Sequence, residues 1–132
     1  MTRFLGPLRI LVVDDDVSSL ETLEFLLHGE GHEIYTASRC VEAVEVVRRL
    51  RHERTRLDLS ILDYHMPDQT GIDTYEQLTV ELPDLAAIFV TGEPSAIVEE
   101  RVYGVGGRAL LPKPIDVGRM RTVLSDFIRE RS

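Results

Sequence analysis

The chain has 132 residues, with 15 Lys or Arg against 23 Asp or Glu and a formal charge of −8; this length suits one domain that buries about two thirds of the surface its unfolded form exposes. At 43% hydrophobic and 29% charged residues the composition is globular, neither disordered nor fibrous, and the acidic balance works against nucleic acid or an anionic membrane as the main partner, since both reward positive charge. The single cysteine, Cys40, cannot close an internal disulfide, no apolar run approaches the roughly 20 residues of a membrane span, and the apolar stretch 10–13 behind the two arginines of 1–9 is too short for a signal peptide, so a reducing, cytoplasmic setting is expected.

Five short β-branched or aliphatic runs, 8–13, 33–37, 57–62, 86–91 and 108–111, alternate with segments of helical period, the pattern of an α/β domain with a parallel sheet. Most of the runs are continuously apolar, as strands covered on both faces are. The first intervening segment spaces Leu20, Leu23, Leu26 and Leu27 for a helix, behind caps at Asp16 and Ser18, and ends at Gly29 and Gly31. The second puts Val41, Val44, Val47 and Leu50 on one face with Ala43 beside them. A third helix is expected over 72–82 with Tyr75, Leu78 and Leu82 inward, stopped by Pro83, and a shorter fourth over 94–103. The fifth, 117–129, turns Met120, Val123, Leu124, Phe127 and Ile128 inward. Only 129–132 follow it, so 1–132 is expected to be a single domain with no output domain in this chain.

Ligands of an open parallel sheet sit at the carboxyl ends of its strands. Here those ends carry Asp14, Asp15 and Asp16, then Asp63, then Thr91 followed by Gly92, and finally Lys113 between two prolines. Carboxylates gathered together persist only if a cation or proton offsets them, and hard oxygen donors suit Mg²⁺, which predicts a magnesium site on Asp14, Asp15 and Asp63. Lys113 and Thr91 add positive charge and a hydroxyl donor of the kind a transferring phosphoryl group needs. Asp63 is then the natural nucleophile, because carboxylates accept phosphoryl groups as mixed anhydrides. Of the 15 basic residues Lys113 is the sole lysine; a drift toward Arg that spares this position suggests that a compact ammonium is wanted there.

The stretch Ile10-Leu11-Val12-Val13-Asp14-Asp15, the segment Leu62-Asp63-Tyr64-His65-Met66-Pro67 with Gly71 after it, Thr91-Gly92 and Lys113-Pro114 closely resemble the receiver domain of two-component response regulators, over essentially the whole chain. The intervals from 14 to 63, 63 to 91 and 91 to 113, which are 49, 28 and 22 positions, are similar to that family's. The resemblance implies a flavodoxin-like, doubly wound (βα)5 fold with strand order 2-1-3-4-5, and Mg²⁺-dependent phosphorylation of Asp63 by a phosphohistidine on a sensor histidine kinase or a histidine phosphotransfer protein. It casts Asp14 and Asp15 as the metal pair, the backbone carbonyl of His65 as a further metal ligand, Thr91 as the switch hydroxyl and Lys113 as the phosphoryl contact. It also implies an unidentified downstream protein partner and a phosphoacceptor rather than a turnover enzyme, and it leaves open a phosphorylation-linked homodimer.

Other features read more plainly. Asp16 suits a helix cap. Gly92 either starts a turn or bares a backbone amide to a phosphoryl oxygen. Gly104, Gly106 and Gly107 precede a strand where a dinucleotide fingerprint must follow one, so they read as a turn. Arg48, Arg49, Arg51, Arg54 and Arg56 read as a solvated helix end favoured by the dipole, and Cys40 as structural. Leu110 departs from the family pattern, standing where receivers commonly carry Tyr or Phe, which puts the usual aromatic readout in question; Tyr103 is a surface aromatic nearby. His65 and Glu93 occupy positions that in the family govern how water reaches the acyl phosphate. Two rival classes remain: a magnesium-dependent phosphatase with an aspartyl nucleophile, which normally wants a second Asp where His65 stands, and a flavin carrier of the same strand order, whose phosphate loop Asp14 to Asp16 would repel.

Overall fold

The computed structural model describes residues 7–131; positions 1–6 of the segment weighed above as a leader, and Ser132, lie outside them. The elements run β1 (Arg9–Val13), α1 (Val17–Gly29), β2 (Glu33–Ala37), α2 (Cys40–His52), β3 (Leu59–Asp63), α3 (Gly71–Glu81), β4 (Ala86–Thr91), α4 (Ala96–Gly104), β5 (Ala109–Pro112) and α5 (Val117–Arg131). Strand alternation with helices yields the expected flavodoxin-like α/β fold, a parallel five-stranded sheet in the order β2-β1-β3-β4-β5.

Successive residues of a strand point to opposite faces, and the core divides accordingly. Leu11, Val13, Leu62 and Phe89 meet Val47, Leu50, Leu78, Val98 and Val102 of α2, α3 and α4. Ile10, Val12, Ile61 and Ile88 meet Leu23, Leu27, Leu124 and Phe127 of α1 and α5. With helices on both faces the central strands are mostly apolar, the buried Ser60 of β3 donating its hydroxyl to the Ala86 carbonyl, whereas β2, an edge strand, leaves Glu33 and Thr36 exposed.

Local differences from the sequence reading have local causes. Val41, expected inward, is 59% exposed, because the buried stripe of α2 is Cys40, Ala43, Val47 and Leu50 and places Val41 about 140° from its centre. The fourth helix starts at Ala96, not at Pro94, because the Ser95 hydroxyl accepts from the Val98 N–H and sets the cap there. Of the arginine run, Arg48 and Arg51 reach Glu81 of α3 at 3.0 and 2.9 Å and Arg56 holds Asp58 at 3.0 Å, all from exposed side chains, so the run is the solvated helix end expected, with two of its members also tying α2 to α3. Asp16 caps α1, accepting from the Ser18 N–H. Gly106 adopts φ +92°, which only glycine enters freely, and a Cβ on Gly107 would stand 2.7 Å from Val102, so this pair makes a turn as expected.

Candidate functional site

The order reverses at β1, so the carboxyl ends of β1 and β3 open on one crevice. The register pairs Val13 with Leu62 and Asp63 with Val90, which sets Asp14 beside Asp63 and brings Thr91 to the same edge one step further along β4. Lys113 arrives from β5, its N–H donating to the Thr91 carbonyl at 2.8 Å. The site is therefore assembled by strand pairing, before any side-chain contact is counted.

Asp14 is fully buried, Asp63 is 5% exposed and Asp15 stands in solvent, yet one carboxylate oxygen from each lies within 4.8 Å of the others. Lys113 Nζ sits 2.8 Å from Asp14 Oδ2 and 3.3 Å from Asp63 Oδ2. Each buried carboxylate turns its other oxygen to the backbone N–H two residues on: Asp16 N to Asp14 Oδ1 at 2.9 Å, and His65 N to Asp63 Oδ1 at 3.3 Å. Burial, followed by the charge of Asp14, pushes the Asp63 carboxyl up to about 6 from 3.8, against the pull of Lys113. Burial also opposes the ammonium of Lys113, but its hydrogen bond to Asp14 and the two carboxylate charges outweigh that and raise it overall.

Three carboxylates against one ammonium leave about two negative charges uncompensated when all are ionised. Oxygen donors this closely grouped, all hard, fit a divalent cation of the Mg²⁺ kind. Thr91 is fully buried, and its hydroxyl oxygen accepts from the Glu93 N–H at 3.0 Å, so its own proton is available to another acceptor. All five side chains singled out in the sequence, Asp14, Asp15, Asp63, Thr91 and Lys113, thus gather at one sheet edge. His65 follows Asp63 on the same loop, with its ring edge-on to Tyr64 at 4.8 Å.

Leu110 is half-buried and packs with the cluster under α4, paired across the sheet with Phe89; Tyr103 is half exposed on α4. A Cβ at Gly92 would meet nothing within 4 Å, so no steric demand holds that glycine. Gly71 differs sharply: a Cβ there would lie 2.5 Å from the Asp63 carbonyl oxygen. The sequence motif contained Gly71 but gave no reason for it, since the contact crosses the β3–α3 loop. Arg39 was not singled out at all. It lines a groove of about 430 Å³ with Asp15 and the residues after His65, and no local pattern announces that.

Comparison with known proteins agrees with this geometry. The sequence profile of the response regulator receiver domain matches residues 10–125. The chain is 31% identical over 119 residues to the transcriptional regulatory protein ZraR of Klebsiella oxytoca, covering 90% of this chain and 26% of that one. It is 34% identical over 126 residues to the two-component response regulator ARR11 of Arabidopsis thaliana, covering 94% and 23%. The chain therefore spans about a quarter of the length of these relatives. The crystal structure of a CheY-like response regulator receiver domain protein from Methanospirillum hungatei superposes with a TM-score of 0.81 at 26% identity, covering 95% of this chain and 96% of that one.

Proposed function

Because the chain belongs to the response regulator receiver domain family, we propose that residues 1–132 act as one phosphorylation-controlled switch whose phosphoacceptor is Asp63. The observation that carries this reading is the pair of buried carboxylates, Asp14 and Asp63, sharing the single ammonium of Lys113 beside Asp15. In the proposed step an Asp63 carboxylate oxygen attacks the phosphorus of a phosphohistidine on a sensor kinase or phosphotransfer protein. The P–N bond breaks, its electron pair stays on the imidazole, and an aspartyl phosphate forms. Asp14, Asp15 and Asp63, with the backbone carbonyl of His65, would hold Mg²⁺, which when bound offsets the negative charge of nucleophile and phosphoryl group.

Lys113 moves its contact from the carboxylates to the phosphoryl oxygens, and Thr91 donates its free hydroxyl proton to the same group. Reorienting Thr91 weakens its hold on the Glu93 N–H, which loosens the 92–95 loop and the Ser95 cap of α4. With Leu110 in place of a ring, this loop and α4 carry the change to a downstream protein. The chain is a signalling switch and not a turnover enzyme; His65 in place of a second acid disfavours the phosphatase, and the acidic crevice disfavours the flavin carrier. No helix among the described residues is long and apolar enough to cross a membrane; action in the cytoplasm beside its kinase is part of the proposed reading. Incubation with Mg²⁺ and phosphoramidate or acetyl phosphate, followed by peptide mass spectrometry, tests the assignment: one phosphoryl group on Asp63 is expected, and its appearance on another residue, or nowhere, refutes it.

A further inference from the structure

The start of α2 is built differently from those of its neighbours. Asp16, Thr70 and Ser95 cap α1, α3 and α4 with their side chains, whereas Arg39 at the N-cap of α2 makes no such bond. Glu42 does the work instead, accepting from the Ser38 N–H at 2.9 Å and from the Ser38 hydroxyl. A cation at a helix N-terminus also sits at the unfavourable end of the dipole. Neither capping nor helix electrostatics accounts for an arginine here.

The groove beside it does. Arg39, Cys40, Met66, Pro67 and Asp68 line a space of about 430 Å³ whose wall includes Asp15 of the acidic cluster. Arg39 is the only cationic side chain lining it, is exposed, and forms no ion pair within 4.0 Å among the described residues; its charge is felt by Glu42, itself engaged by Ser38. Met66, Pro67 and the buried Cys40 give the lining its apolar share, beside Ser38, Asp68 and Gln69.

We propose that Arg39 is a specificity-determining residue for the phosphoryl donor, seating in this groove the departing group of an acyl phosphate. The proposal rests on Asp63 being the phosphoacceptor. When an Asp63 oxygen attacks the phosphorus of an acyl phosphate, the P–O bond to the acyl group breaks and its electron pair stays on that oxygen. A carboxylate leaves, and no proton is required. A guanidinium beside that oxygen strengthens its interaction as the charge develops, while the acyl carbons lie against Met66 and Pro67. Phosphoramidate releases ammonia, which carries no negative charge, so Arg39 has nothing to stabilise in that reaction.

The test measures the second-order rate constant for phosphorylation of Asp63 by acetyl phosphate and by phosphoramidate, in Mg²⁺, for the wild type, Arg39→Ala and Arg39→Lys. The ratio of the acetyl phosphate value to the phosphoramidate value is expected to fall roughly tenfold in Arg39→Ala, the scale of one charge-assisted hydrogen bond at a half-open site, and to recover in part in Arg39→Lys. A ratio that stays constant, whether both values drop together or neither does, overturns the proposal while leaving Asp63 as acceptor. A wild type that neither donor phosphorylates at Asp63 removes the acceptor reading itself, and this proposal with it.

Discussion

Replacing Asp63 with Asn removes one charge from a site that holds too many of one sign, without changing its shape. In the metal-free protein the ionised Asp63 is disfavoured by burial and then by Asp14, and is only partly offset by Lys113 at 3.3 Å, so its carboxyl is pushed up to about 6 from 3.8. The folded state therefore keeps a proton that the unfolded chain has already released, and wild-type stability falls as pH rises from about 4 through 6. A rise of this size corresponds to about 3 kcal/mol. The pull of Lys113 is already contained in that rise, and screening by solvent reaching the site trims the expected gain to about 1–3 kcal/mol at pH 7.5. For a domain of this size the gain corresponds to a Tm higher by about 3–10 °C. Urea unfolding in a chelator at pH 4 and pH 7.5 measures it: the midpoint of Asp63→Asn should lie above wild type at the higher pH and converge on it at the lower, with equal slopes. A variant no more stable than wild type at pH 7.5, or one equally stabilised at both pH values, refutes the electrostatic account.

In wild type Mg²⁺ is expected to stabilise the fold by mass action, by about 1.4 kcal/mol at ten times its dissociation constant, and so to raise Tm, and Asp14→Ala with Asp15→Ala to lose that response in a thermal scan; an undiminished response means the ligands lie elsewhere. Gly71→Ala should cost about 1–3 kcal/mol, because the new Cβ would fall 2.5 Å from the Asp63 carbonyl oxygen, an atom the sheet holds in place. It should also slow Asp63 phosphorylation, so wild-type urea midpoint and labelling rate together would falsify the contact. His32 is buried with Nδ1 accepting from the Leu8 N–H at 2.9 Å, and burial, opposed by Glu30, lowers its affinity for a proton below the usual 6.5. Its contribution is therefore complete above about pH 6.5 and is lost as pH falls below that, so urea midpoints between pH 7 and pH 5 should decline more steeply in wild type than in His32→Gln; parallel curves would show that His32 does not titrate with unfolding.

How far the sequence determined this protein is visible in particular residues. Runs of β-branched and apolar residues between helical periods suffice for a doubly wound sheet, because strand and helix spacings are local properties of the chain. Since strand ends define where such a sheet binds ligands, Asp14, Asp15, Asp63, Thr91 and Lys113 could be assigned to one edge with no contact known. Val41 shows the limit of the same logic: within a helical stripe, periodicity alone does not say which neighbouring residue meets the sheet, and Cys40 took the buried place. What only the tertiary structure decided is what crosses between elements. The reach of Lys113 to Asp14, residues 99 apart in sequence, the burial that raises Asp63, the clamp of Arg48 and Arg51 on Glu81, the closeness of Gly71 to Asp63 and the groove under Arg39 all join distant segments. The physical reason is that desolvation and charge coupling depend on which atoms surround a group in space, and those surroundings exist only once the two helical layers have packed over the sheet.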